Sequence, residues 1–204
     1  MINETMLPPL PSPALDGVKV LLASNSPRRR QLLQLILPQF YIADNIDVDE
    51  SYPADMAPDK VPAYIAMLKA KAHKDILEDN ELMITADTVV IVDGEIFGKP
   101  KSRDDAVAML GRLSGRDHVV VSGVAISAKG RKPDVFTETT KVHFAVLTRK
   151  EIEDYVDRYR PFDKAGAYGV QEWIGAVGIK GIEGCYYNVM GLPLHTLYTH
   201  LASF

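Results

Sequence analysis

The segment Leu82-Met83-Ile84-Thr85-Ala86-Asp87-Thr88-Val89-Val90-Ile91-Val92 is the most apolar run in the chain, and it is rich in β-branched residues. That composition predicts a central strand of the core. Asp93-Gly94 follows as a hairpin signal, with Ile96-Phe97 as the returning strand. So apolar a strand has to be covered by other elements, and the remaining sequence supplies them. Further strands are expected at residues 18–23, 40–43, 118–126 and 133–147, and a helix at 27–37. A long helix is expected at 61–77, where Val61, Ile65, Leu68, Ala72 and Ile76 form a stripe at helical spacing. Ser102-Arg103-Asp104-Asp105 resembles a capping box with Asp105 in place of the usual Glu, and Thr148-Arg149-Lys150-Glu151 is a second; each opens a helix. Pro161 stops the helix begun at Thr148, and a last helix follows Pro193. Strands and helices mix throughout, so the expected class is α/β with a mixed sheet. No Pro/Gly/Ser linker divides the chain, so its 204 residues suit two lobes of one domain (18–204) better than independent domains. Residues 1–17 read as a proline-rich N-terminal extension, without the basic-then-apolar pattern of a signal peptide.

Asp87 is out of place in its strand. An ionised carboxylate buried among aliphatic neighbours costs several kcal/mol unless it is paired or metal-bound. Two readings stand: a general base or metal ligand, and a structural salt bridge or acceptor for backbone N–H groups. A second anomaly lies upstream. After the first strand, Ser24-Asn25-Ser26 forms a polar turn, Ser26 suits an N-cap and Pro27 the first helical position, so Arg28-Arg29-Arg30 fall in the first helical turn. Cations there oppose the helix dipole by roughly 0.3–1 kcal/mol each. A bound phosphate reverses that sign, and guanidinium forks suit it; the alternative is a solvated basic helix end.

Composition narrows the ligand. With 23 Lys plus Arg against 27 Asp plus Glu, the net charge is −4, which argues against general binding to nucleic acid or anionic membrane. A local basic cluster on an acidic chain suits a small polyanion. No apolar run approaches membrane-spanning length. The single cysteine, Cys185, excludes an internal disulfide, points to the cytoplasm and reads as a small buried filler.

Other residues fit the same picture without carrying it alone. Gly98-Lys99-Pro100 projects a lysine from a stiff turn, either a phosphate anchor or a surface charge. Of Lys69 and Lys71 on the long helix, Lys71 shares a face with Tyr64 and Met67 and could reach inward; a solvated helix flank is the alternative. Asp49-Glu50 could supply a metal carboxylate or simply face solvent. Asp163-Lys164-Ala165-Gly166-Ala167-Tyr168-Gly169-Val170-Gln171 has no secondary-structure period. Its small residues permit close approach to a ligand, and the Gln171 amide can pair with the edge of uracil or thymine.

Together these segments resemble the Maf (septum formation) family of nucleoside triphosphate pyrophosphatases. The resemblance rests on Leu22-Ala23-Ser24-Asn25-Ser26-Pro27-Arg28-Arg29, Ala86-Asp87-Thr88-Val89-Val90, Gly98-Lys99-Pro100, Leu113-Ser114-Gly115-Arg116, the segment 163–171 and Tyr187-Asn188-Val189-Met190-Gly191-Leu192-Pro193, and it runs from residue 18 to the C-terminus. It implies an ITPase-like α/β fold, an elongated mixed sheet flanked by helices in two lobes with a central cleft. It also implies hydrolysis of a nucleoside triphosphate between its α and β phosphates, with a divalent metal, Mg²⁺ or Mn²⁺. By position, Asp87 would be the acid–base residue, and Arg28, Arg29 and Lys99 would hold phosphates. Ser24 would lie at the cleft. Glu50 and Lys71 would assist metal and substrate binding, with Glu50 and Asp87 as metal carboxylates. Arg28, Thr88 and Gln171 would bear on substrate choice. The segment before Gln171 looks like the dTTP/UTP-cleaving branch rather than the 7-methyl-GTP branch. A homodimer is what the resemblance implies for assembly. Glu172-Trp173-Ile174 departs from the pattern, since glycines are common there, and Trp173 could stack on a base or a partner protomer. The rival to catalysis is a non-catalytic nucleotide-binding regulator of cell division.

Overall fold

In the computed structural model, which describes residues 15–44 and 46–204, the apolar run is strand β3 (Glu81–Val92), at the centre of a seven-stranded mixed sheet. Residues 1–14 of the expected extension, and Asn45 of the acidic loop, lie outside the described residues. On one side β3 pairs along most of its length with β5 (Asp117–Ala128), and beyond it come β6 (Asp134–Phe144) and β7 (Ile179–Glu183), all antiparallel. On the other side β1 (Lys19–Leu22) runs parallel to β3 from Glu81 to Ile84, with β2 (Tyr41–Ile42) outside it. The short β4 (Glu95–Phe97) returns antiparallel at Val90–Val92, through a turn in which Asp93 and Gly94 both take positive φ.

β1 and β4 do not meet. Over residues 85–89 this side of β3 has no strand neighbour among the described residues, an opening about 17 Å long at the usual rise per residue. The opening sits where the sequence interrupts its apolar run with Asp87 and Thr88.

Alternation along β3 divides the core. Leu82, Ile84 and Ala86 pack with Leu32 and Leu33 of α1 (Pro27–Leu33) and with Leu194, Leu197 and Leu201 of α7 (Leu194–Ala202). Farther along the same face, Val90 and Val92 join a second core with α3 (Arg103–Leu113) and α4 (Arg149–Tyr159). Between the two cores lies Thr88, whose hydroxyl is 2.8 Å from that of Ser122 on β5. The opposite face is covered by α2 (Val61–Ala72). There Thr85 Oγ1 donates to Ala66 O at 2.7 Å, and a Cβ on Gly123 would lie 2.2 Å from Ala63 N. Glycine at 123 is therefore what lets the helix start sit on the sheet directly across from Asp87, its ladder partner.

Three expectations shift. The helix expected over 61–77 ends at Ala72, so Ala72 and Ile76 are exposed, and the buried face is Val61, Ile65, Ala66 and Ala70. Small residues, not a large aliphatic stripe, allow the close approach. At Ser102 the hydroxyl accepts from Asp105 N as expected, but the Asp105 carboxylate, one methylene shorter than Glu, accepts from Lys101 N instead of closing the box. The Thr148–Glu151 box forms in full and opens α4. Two short helices, α5 (Trp173–Gly178) and α6 (Tyr186–Met190), flank β7. Cys185 is half-buried rather than filling the core. Among the described residues, no helix is long and apolar enough to cross a membrane.

Candidate active site

The opening beside β3 is the mouth of a cleft of about 730 Å³, a size typical of nucleotide-scale ligands. Its floor is Ala86-Asp87-Thr88-Val89. One wall comes from the turn and first residues of α1, another from α2 and the acidic loop, and a third from Gly98-Lys99 and the segment 163–171. Ser24, Arg28, Arg29, Glu50, Asp87, Thr88, Lys99 and Gln171 all line it.

Asp87 and Thr88, adjacent in a strand, serve opposite faces. Asp87 meets Lys69 of α2, whose ammonium lies 3.0 Å from Asp87 Oδ1 and 2.9 Å from Glu50 Oε1. Two carboxylates from distant parts of the chain thus converge on one cation. On the other face Arg29 reaches across the floor. Its Nε donates to Gly191 O at 2.9 Å, Nη1 to Ala86 O at 2.8 Å and Nη2 to Thr88 Oγ1 at 3.0 Å. The guanidinium thereby uses three of its five N–H groups, one on the free edge of β3 at Ala86 O, one on the Thr88 hydroxyl and one on the Gly191 carbonyl across the floor. Burial lowers its pKa, with Asp87 pulling the other way, and it stays charged.

Arg28 closes the cleft at its rim. Its Nη1 pairs with Asp163 Oδ2, and its Nη2 donates to Asp163 O at 3.2 Å. Asp163 also takes the ammonium of Lys164 at 2.8 Å. Burial alone would push the Asp163 carboxyl up, but the bonds from Lys164 and Arg28 outweigh it and hold its pKa at about 2. Lys99 is exposed and makes no ion pair with a described residue. Ser24 Oγ accepts from Ser26 N at 3.2 Å and so shapes the turn into α1. His73, buried behind the acidic loop, places Nδ1 2.7 Å from Lys69 O and Nε2 3.2 Å from Asp44 O.

One expected residue falls outside this constellation. Lys71 is exposed and does not line the cleft; Lys69 takes the place expected of it. The reason is helical phase. Lys69 continues the buried row Val61–Ile65 at steps of four residues, whereas two residues on is about 200° around the axis. That row was available in the sequence and points to Lys69. Glu172 was also passed over. Its carboxylate is largely buried and holds Lys164 at 3.1 Å and the Tyr155 phenol, contacts that only the fold brings together.

The carboxylate pair also bears on a metal. Asp87 and Glu50 are hard oxygen donors already converging on a cation, which suits Mg²⁺ or Mn²⁺. Among the described residues no group of three or more His, Cys, Asp or Glu could form a closed cage. Two carboxylates completed by phosphate oxygens and water are what a substrate-borne Mg²⁺ requires.

Residues 19–204 match the family model described as Maf-like protein. A dTTP/UTP pyrophosphatase of Porphyromonas gingivalis is 50% identical over 192 residues, covering 93% of this chain and 96% of that protein. A dTTP/UTP pyrophosphatase of Bacteroides thetaiotaomicron is 49% identical over 187 residues, covering 92% and 96%. Among solved structures, the Staphylococcus aureus Ham1 protein superposes with a TM-score of 0.48 at 21% identity, over 62% of this chain and 72% of that one.

Proposed function

The chain belongs to the Maf family, and we propose that it hydrolyses dTTP and UTP to the nucleoside monophosphate and pyrophosphate. The observation that carries this is the convergence of Asp87, Glu50 and Lys69 on the floor of a cleft rimmed by Arg28 and Lys99. Carboxylates and cations placed opposite each other suit a reaction that needs a base at one phosphorus and charge neutralisation on the group that leaves it.

In this reading Glu50 and Asp87 hold a divalent cation, Mg²⁺ or Mn²⁺, which supplies neutralisation of phosphate charge and a lowered barrier to attack. Asp87 orients a water molecule and takes its proton as the oxygen bonds to the α phosphorus. The bond from that phosphorus to the bridging oxygen breaks, and the electron pair leaves with pyrophosphate. Lys99 meets the charge developing on the leaving group. Arg28 does the same on exchanging its bond to Asp163 for one to phosphate. Arg29 contributes its remaining N–H groups while fixing the floor, and Ser24 completes the wall beside it. Lys69 keeps the two carboxylates together while the cleft is empty. Gln171 pairs with the imide edge of uracil or thymine, and Thr88 lies under the same pocket. The reading extends to a homodimer in the cytoplasm, in line with the family resemblance and with a lone cysteine.

The test is direct. Purified protein with Mg²⁺ or Mn²⁺ and dTTP or UTP should yield monophosphate and pyrophosphate in equal amounts. Release of single phosphates, or no turnover of either nucleotide, would refute the proposal.

A further inference from the structure

The reaction above uses none of Tyr155, Lys164 and Glu172, yet these form a buried polar knot directly beneath the loop that carries Gln171. The Tyr155 side chain belongs to the second core, and its phenol donates to Glu172 Oε2 while accepting from Gly169 N at 3.0 Å. The other Glu172 oxygen holds Lys164 Nζ at 3.1 Å. Side-chain exposures of 17% for Glu172 and 10% for Lys164 leave water little room to replace these bonds. Burial and the adjacent Glu172 push the phenol's pKa up, so it remains a donor across the working range.

The knot fixes backbone as well as side chains. Glu172 N donates to Gly169 O at 3.0 Å, closing a four-residue turn in which Gln171 is the third residue. A Cβ on Gly169 would lie 2.8 Å from Glu172 Cδ, so the carboxylate rests on the loop's own main chain. A Cβ on Gly175 would lie 1.8 Å from Val170 O, so α5 presses on the same turn. Gln171 is thus held between two anchors, Val170 in the core and Glu172 in the knot, while its own amide stands exposed on the cleft wall.

This bears on base choice. A primary amide offers a donor and an acceptor, and by turning over it can match either the imide edge of uracil or the amino-imine edge of cytosine. The residue type therefore does not select the base. Selection requires the amide to be held at one height, angle and face against the ring, which begins with a fixed backbone under it.

We propose that Glu172 and Tyr155 are positioning residues for base recognition, holding the Gly169–Glu172 turn so that Gln171 favours a 2,4-dioxopyrimidine over a 4-aminopyrimidine. The inference rests on the reading of the cleft as a dTTP/UTP site. At the other end of the loop, Lys164 ties the same knot to Asp163, which holds Arg28 while the cleft is empty.

The test compares Glu172→Gln and Tyr155→Phe with the unaltered protein. Pyrophosphate release from UTP and CTP is measured, and so is binding of the α,β-methylene analogues of both. The expected result is a fall of tenfold or more in the UTP:CTP ratio of kcat/KM, through a raised KM for UTP with kcat held within about twofold, and the same fall in the binding ratio. Both variants melting at lower temperature with KM and the UTP:CTP ratio unchanged would show a merely structural role and overturn the proposal. Should Glu172→Gln fail to fold, Tyr155→Phe, which removes one oxygen, decides alone. Absence of pyrophosphate release by the unaltered protein would count against the hydrolase reading, and the binding ratios would then decide the positioning role. Equal binding of the two analogues by the unaltered protein would overturn it.

Discussion

Replacing Lys69 with Met tests the centre of the site. The substitution keeps the length and most of the apolar stem but removes the charge. The ammonium lies 3.0 Å from Asp87 Oδ1 and 2.9 Å from Glu50 Oε1, so those oxygens stand no more than about 6 Å apart. Two full charges at that distance repel by about 3 kcal/mol at an effective dielectric near 20. Glu50 is 53% exposed, and solvent screening reduces the net penalty to about 1 kcal/mol. For a chain of this size the melting temperature should fall by about 2–4 °C in metal-free buffer. Millimolar Mn²⁺ should restore it, because the ion takes over the neutralisation the ammonium supplied. The gain in Tm on adding Mn²⁺ should therefore be larger in the variant than in the unaltered protein. Turnover of dTTP at saturating Mn²⁺ should stay within about twofold, because the ion then supplies the charge that the ammonium supplied in the empty cleft. Thermal melts with and without Mn²⁺, alongside a pyrophosphate assay, measure both effects. A loss of stability that Mn²⁺ leaves untouched would show that Lys69, Asp87 and Glu50 do not share a cation site.

Three further outcomes follow from the geometry. Asp87→Asn should abolish pyrophosphate release while nucleotide binding, followed by titration calorimetry, stays largely intact; turnover at the original rate would remove Asp87 from the chemistry. His118, buried and 2.7 Å from the Tyr168 hydroxyl, has its pKa lowered to about 4 by burial. The unfolded chain then binds this proton first, so stability is complete above about pH 6.5 and falls by up to about 1.4 kcal/mol per pH unit as the pH drops toward 4. Urea melts of His118→Gln, which keeps an acceptor for Tyr168, should lose that slope. Thr148→Ala removes the capping hydroxyl of α4, far from the cleft, and should cost about 1 kcal/mol by the same melts with kcat unchanged.

What could be read from the sequence was what local chemistry decides. The strand at 81–92 and its Asp93-Gly94 turn, the Ser26 cap and the Thr148–Glu151 box all depend on neighbours in the chain. Asp87 stands out because it breaks an apolar run, and the break marks the cleft; Thr88 enters only through the family resemblance. The expectation for Lys71 rests on the face it shares with Tyr64 and Met67 and on the family resemblance, whereas helical phase puts Lys69 in line with Val61 and Ile65. The true face is lined by Ala66 and Ala70, residues whose small size is informative only once Ala125 is known to lie beneath them. Glu172 could not be placed at all, because its partners come from α4 and from the far end of its own loop. Asp163 as the partner of Arg28 was hidden for the same reason, a separation of 135 residues.

Between the last rung that joins β3 to β1 and the first that joins it to β4, the sheet has a notch. A ladder resists splaying through its main-chain rungs, and in the notch the Arg29 guanidinium stands in for them. The segments on either side of the notch belong to separate cores, joined across the floor by the unbroken rungs of β3 with β5. The floor, where distances between reacting groups matter, thus rests on main-chain bonds, and the mouth, where guests enter and leave, is framed by side chains.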